Sequence, residues 1–207
     1  MADELLALTE QHLDIIKEVS NVGAGNGATA LAQLLKRKIS MSVPRVHVSN
    51  ISDVTKVLDE EEEQVVALYL RVEGVAPANM LFQMSLKDAY SLIDMMLNRS
   101  IGYTKELDRF NQSVIEEMAN IVAGSFLAAL YDFTKISFNP SPPALAVDMA
   151  GALLNTVLLH YGFEGDTALM IDTEFKEQDR LLNGKFFLLP DPGSLEKILN
   201  ALGVSCG

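Results

Sequence analysis

The strongest constraint on the fold is that the chain repeats itself. Shifted by 99 positions without a gap, residues 14–44 (DIIKEVSNVGAGNGATALAQLLKRKISMSVP) lie over residues 113–143 (SVIEEMANIVAGSFLAALYDFTKISFNPSPP). Ten of the 31 positions are identical: Ile16/Ile115, Glu18/Glu117, Asn21/Asn120, Ala24/Ala123, Gly25/Gly124, Ala30/Ala129, Leu31/Leu130, Lys36/Lys135, Ser42/Ser141 and Pro44/Pro143. Unrelated segments of ordinary composition would share roughly two. The sequence therefore reads as a duplication, with halves over about 8–98 and 105–204 joined by LNRSIGYTKELD (97–108).

Each half begins with a helical period. In TEQHLDIIKEVSNV, apolar residues recur at three- and four-residue spacing with charges between them. Each half ends alike: NMLFQMSLKDAYSLIDMML and GKFFLLPDPGSLEKILNAL both read as an apolar strand followed by an amphipathic helix. Ser85 with Asp88 makes a capping-box pattern, and Asp191 before Pro192 places a cap residue ahead of a helix-compatible proline. Between these ends lie stretches read as β-rich: PRVHVSNIS, QVVALYLRVEG, PALAVDMAGALLNTVLLHYG and TALMIDTEF. The expected class is α+β: a pseudo-twofold duplicated unit of long helix, antiparallel strands and shorter helix, packed as a single domain over 1–207. The acidic run DEEEE (59–63) is read as a solvated loop.

The glycines of EVSNVGAGNGATA raise a competing possibility. Gly23-x-Gly25-x-x-Ala28 fits the permissive dinucleotide fingerprint, which requires a strand before the glycines and a helix opening at them. A helical period precedes them instead, so no cofactor is expected. With 49% apolar residues the chain can bury a substantial core. A formal charge of −12 and a pI near 4.6 argue against nucleic acid and anionic lipid and favour a basic partner surface. The single cysteine, Cys206, rules out an internal disulfide framework and makes a poor nucleophile. No basic n-region leads into an apolar stretch, and no uninterrupted apolar run approaches eighteen residues; a cytoplasmic chain with no membrane insertion is expected.

The repeat preserves polar residues where core residues could have stood. On a helix, Asp14, Glu18, Asn21 and Gly25 are spaced by four, three and four, so they share one stripe. Ser113, Glu117, Asn120 and Gly124 form the same stripe in the second half. Asparagine is a mediocre helix former, about half a kcal/mol worse than alanine. An exposed polar stripe, or an asparagine serving a structural hydrogen bond, is the plain explanation. Glutamate and asparagine without a nearby histidine, cysteine or second carboxylate make neither a nucleophilic triad nor a metal site. A carboxamide can, however, hold a water for in-line attack on a phosphoryl group. A carboxylate one turn away can pair with a partner's lysine. Glycines on the stripe then make room for a protein's close approach.

The pattern of Asp or Ser, three residues, Glu, two residues, Asn, 22 residues and Pro resembles the motif of the CheC/CheX/FliY phosphatases of bacterial chemotaxis. It occurs twice, as Asp14, Glu18, Asn21, Pro44 and as Ser113, Glu117, Asn120, Pro143. The resemblance extends over nearly the whole chain, including GAGNGATALAQLL and LPDPGSLEKILNALG. CheX-type members carry one motif and FliY-type members add a C-terminal switch domain, so both fit less well than the two-motif type. The resemblance implies hydrolysis of the aspartyl phosphate on the response regulator CheY, beside a Mg²⁺ that the receiver supplies. Asn21 and Asn120 would then orient water, and Glu18 and Glu117 would pair with the receiver's lysine. Asp14 and Ser113 would support the rim, and Pro44 and Pro143 would end the helix-to-strand connection. The resemblance also implies a second partner, the receptor deamidase CheD, for which Asp148 in PALAVDMAGAL is the candidate contact. A module that only sequesters CheY-P or CheD is the alternative.

Overall fold

The computed structural model describes residues 8–51, 54, 62–160 and 167–204. The first half contributes α1 (Glu10–Leu35), β1 (Ser40–Ser42), β2 (Val46–Asn50), β3 (Gln64–Gly74), β4 (Ala78–Ser85) and α2 (Leu86–Met96). The second contributes α3 (Arg109–Thr134), β5 (Phe138–Pro140), β6 (Ala144–Met149), α4 (Ala150–His160), β7 (Thr167–Glu177), β8 (Arg180–Pro190) and α5 (Ser194–Ala201). Cys206 and most of the acidic run lie outside the described residues.

Local chemistry sets the helix ends. Asp108 caps α3 by accepting from Asn111 N (2.7 Å), and Ser85 caps α2 by accepting from Asp88 N (3.1 Å), one half of the expected capping box, while Asp88 Oδ2 accepts from Asn183 N (3.0 Å). Both long helices stop at a left-handed lysine, Lys36 (φ 53°) and Lys135 (φ 60°), one of the pairs that the duplication kept identical. The cap expected at Asp191 is not formed. Helix α5 starts three residues later behind Gly193, whose φ of 74° suits glycine. The Asp191 carboxylate instead takes a bidentate grip from Arg71 (2.7 and 2.5 Å), which holds the guanidinium above its usual pKa.

The strands form one antiparallel sheet in the order β1-β7-β8-β4-β3-β5, with β2 also on β7 and β6 also on β3. The halves thus exchange strands: β1 and β2 lie on the second half's hairpin, and β5 and β6 on the first half's. At the centre β4 pairs β8, with Phe82 opposite Phe186 and their rings 4.6 Å apart. Exchange makes each half's outer strands depend on the other half.

Strand residues alternate between two apolar layers. Val66, Leu68, Leu70, Met80 and Phe82 face the core under α1, α2, α3 and α5. Val65, Ala67, Leu81, Phe187 and Leu189 face a smaller core closed by Leu153, Leu154 and Val157 of α4. This corrects the reading of 143–162 as β-rich: among its described residues only Ala144–Met149 is strand, and AGALLNTVLLH is helix. A near-continuous apolar run carries no period to tell the two apart.

Helices α1 and α3 pack against each other through unlike surfaces. A Cβ on Gly23 would meet the Phe126 backbone at 2.9 Å, and one on Gly27 would meet Ser125 at 3.5 Å. At the matching places α3 carries Val122 and Phe126, so the bulk on one helix fills the space that glycine leaves on the other. By length and composition α3 is apolar enough to cross a bilayer, but Ile115, Met118, Val122 and Leu127 are buried in the core.

Candidate functional site

Burying Ile16, Val19 and Ala24 on α1, and Ile115, Met118 and Ala123 on α3, turns the opposite side of each helix outward. That side carries the two stripes. Asp14, Glu18 and Gly25 are exposed and Asn21 is half-buried; Ser113, Glu117, Asn120 and Gly124 are all exposed. The glycines divide by role. A Cβ added at Gly25 or Gly124 meets nothing within 4 Å, whereas Gly23 and Gly27 face α3. Room for a partner is left at Gly25 and Gly124 only, and the other glycines of the cluster serve helix packing.

Among the described residues Glu18 and Glu117 make no hydrogen bond or ion pair, so each carboxylate is open to a cation from outside. The asparagines differ. Asn21 Oδ1 accepts from Val43 N (2.9 Å), while Nδ2 donates to Lys17 O (3.1 Å) and Val43 O (3.4 Å). Both of its N–H donors and one acceptor site are in use. Asn120 has no partner among the described residues. One part of the difference is legible one position ahead of the motif proline: Val43, the donor to Asn21 Oδ1, is matched by Pro142, which has no N–H to give.

The motif prolines do not end the helix-to-strand connection as expected. Pro44 falls between β1 and β2, and Pro143 between β5 and β6, so each interrupts an outer strand. Proline is tolerated there because an outer strand need not donate at every residue. Ser113 Oγ donates to Phe110 O (2.7 Å), which fixes the first turn of α3.

The stripes also differ in what flanks them. Beside Asp14 and Pro44 lies an open groove of about 340 Å³ bordered by Lys17, Arg45 and His47, with Arg45 paired to Asp172 (3.1 Å). The corresponding residues of the second half are Glu116, Ala144 and Ala146, so the Lys17, Arg45 and His47 border, which the groove shares with Glu10 and Asp14, is not repeated beside the α3 stripe. On α3 the stripe continues instead into Phe110, which the sequence reading missed although it precedes Ser113 by one turn on the same face. Asp148 is exposed on β6 between exposed Val147 and Met149, and its Oδ1 accepts from Met149 N (2.8 Å). Among the described residues no group of three or more His, Cys, Asp or Glu is placed to hold a metal.

Fold and site together define a class: a duplicated α+β protein that presents two carboxylate–carboxamide helices to solvent. The model of the CheC-like family matches this chain in each half, over residues 12–48 and 110–147. The chain is 35% identical over 202 residues to the CheY-P phosphatase CheC of Bacillus subtilis (strain 168), covering 96% of this chain and 97% of that protein. It is 30% identical over 138 residues to the flagellar motor switch phosphatase FliY of the same organism, covering 66% of this chain and 35% of that protein. The fold superposes on Thermotoga maritima FliY with a TM-score of 0.78 at 20% identity, over 95% of this chain and 98% of that one. The chain belongs to the CheC-like family.

Proposed function

We infer that this protein is a CheY-P phosphatase. The observation that carries the reading is the pair of outward Glu–Asn stripes, each with a free carboxylate and an unobstructed glycine, in a chain similar over almost its whole length to a CheY-P phosphatase. A phosphorylated receiver lies across a stripe with its aspartyl phosphate over the asparagine. The carboxamide holds a water in line with the bond from phosphorus to the aspartyl oxygen. The water oxygen bonds to phosphorus as that bond breaks, releasing inorganic phosphate and a free carboxylate. Glu117 or Glu18 pairs with the receiver's lysine and fixes the pose. The protein contributes position, and the receiver contributes the phosphoryl group and its Mg²⁺. Positioning of this kind supports rate gains on the order of 10²-fold. A cytoplasmic location accompanies this reading.

CheD binding is the second part of the proposal. Its support is Asp148, an exposed acid on an outer strand between two exposed apolar residues. Asp148→Lys replaces an attraction with a repulsion toward a basic surface and is expected to weaken CheD binding at least tenfold by calorimetry. Unchanged affinity removes Asp148 from that interface.

Phosphate release from phosphorylated CheY separates catalysis from sequestration. Turnover with substoichiometric protein indicates an enzyme. A response that levels off at one-to-one indicates a binding module and overturns the phosphatase reading.

A further inference from the structure

The segment joining the halves is tied into a rigid knuckle. Asp94, buried at the end of α2, accepts from the N–H groups of Gly102 (2.7 Å), Tyr103 (3.0 Å) and Thr104 (3.0 Å), and from Thr104 Oγ1 (2.6 Å). Burial opposes its ionisation, but these four donors outweigh burial and hold the carboxyl below its ordinary pKa. The Arg99 guanidinium lies 5.0 Å from the centre of the Tyr103 ring and 5.9 Å from that of Phe110. Its Nη1 donates to Thr104 Oγ1 and Asn111 Oδ1, both at 3.4 Å. The segment is held from beneath, yet it leaves Tyr103 68% and Phe110 56% exposed. Aromatic side chains on a fixed backbone lose little entropy when a partner covers them, which is why they dominate interface energetics.

Phe110 precedes Glu117 by seven residues and Asn120 by ten, on one side of α3. At 1.5 Å per residue it stands about 15 Å from Asn120. An interface of standard size covers about 800 Å² on each partner, equivalent to a disc of about 16 Å radius. A receiver centred on Asn120 therefore reaches Phe110, and Tyr103 lies alongside it through Arg99. Helix α1 has Gln11 at the place of Phe110.

We propose that Tyr103 and Phe110, held in place by Arg99 and Asp94, anchor the phosphorylated receiver beside the α3 stripe and make it the tighter-binding of the two stripes. The proposal rests on the phosphatase reading and adds to it a specificity-determining patch that, among the described residues, flanks the α3 stripe and not the α1 stripe.

The test uses the full chain carrying Gly25→Leu, which closes the α1 stripe, with CheY loaded with beryllofluoride as a receiver that is not hydrolysed. Tyr103→Ser with Phe110→Gln is expected to raise both the Kd for this receiver and the KM for phosphorylated CheY about tenfold, with kcat changed by less than about twofold. The conservative pair Tyr103→Phe with Phe110→Tyr is expected to keep the parental Kd. An unchanged Kd and KM in a Tyr103/Phe110 variant that melts at the parental temperature overturns the patch. So does a fall in kcat at unchanged Kd. If the unmodified chain neither binds CheY nor releases its phosphate, the phosphatase reading fails first and the patch falls with it.

Discussion

Asn21 and Asn120 occupy the same place in two copies of one helix, and their surroundings give them different work. Asn21 is fastened to the backbone of Val43, while Asn120 has no partner among the described residues and has at the matching place Pro142, which offers no N–H to a carboxamide oxygen. A duplicated motif can thus keep its Glu, Asn, Gly and Pro and still diverge at a neighbour that supplies or withholds an N–H. On this comparison we propose the α3 stripe as the main catalytic site, with the α1 carboxamide held back by its contacts to Val43 and Lys17.

The largest expected effect is the loss of that free carboxamide. Asn120→Ala is expected to remove most phosphate release, with the α3 stripe slowed on the order of 10²-fold, and to leave the melting temperature equal or slightly higher because alanine is the better helix former. Asn21→Ala is expected to do the reverse. Activity falls by less than half, but stability drops by about 1–2 kcal/mol because the buried Val43 loses its hydrogen-bond partner. Equal activity losses in the two variants would break the comparison.

Two glycines two residues apart sharpen it next. Gly23→Val drives a side chain into the Phe126 backbone and is expected to cost roughly 1–3 kcal/mol in denaturant unfolding. Gly25→Leu enters open space, and helix propensity favours it over glycine by about 0.8 kcal/mol. Receiver binding at the α1 stripe is nevertheless expected to be lost. A Gly25→Leu chain that binds receiver at both stripes contradicts the close-approach role.

The knuckle sets the halves apart in pH. Because the Asp94 pKa is depressed on folding, its stabilisation is complete above the ordinary carboxylate value of about 3.9 and is lost as pH falls through the lower folded value. Asp94→Asn is expected to cost about 1–3 kcal/mol at neutral pH. That gap from the parent is expected to shrink as pH falls below the ordinary carboxylate value, in melts across the acid range. A gap that does not change with pH removes ionised Asp94 as its source.

The smallest effect comes from copying the second half into the first. Val43→Pro, made in the Asn120→Ala background, releases Asn21 Oδ1 from the residue-43 N–H and is expected to raise the remaining phosphate release by about threefold, a change of about 0.65 kcal/mol in barrier. No rise means that the Val43 clamp does not limit the α1 stripe.

The duplication, the long helices and the stripes were all legible in the sequence, because a 3.6-residue period and a fixed offset are carried by the order of residue types along the chain. The strand exchange was not, since nothing local in PRVHVSNIS or PALAVDM states which hairpin it joins. Helix α4 was missed because AGALLNTVLLH is apolar nearly throughout. Asp191 sat where a cap belongs, and its partner Arg71 lies 120 residues away. Val43 and Pro142 were visible in the alignment, but the difference acquired meaning only once Asn21 was seen to reach the Val43 N–H and C=O.

The central claim is that two Glu–Asn stripes hydrolyse the receiver's aspartyl phosphate by positioning water, with the free Asn120 doing most of it. Phosphate release from phosphorylated CheY, at one molecule of this protein per ten or more of substrate, tests it most directly when the parent, Asn21→Ala, Asn120→Ala and the double variant are run side by side. The account predicts multiple turnovers in the parent, most of that rate in Asn21→Ala, a small remainder in Asn120→Ala and the receiver's own rate in the double variant. Parental turnover in the folded double variant would contradict it.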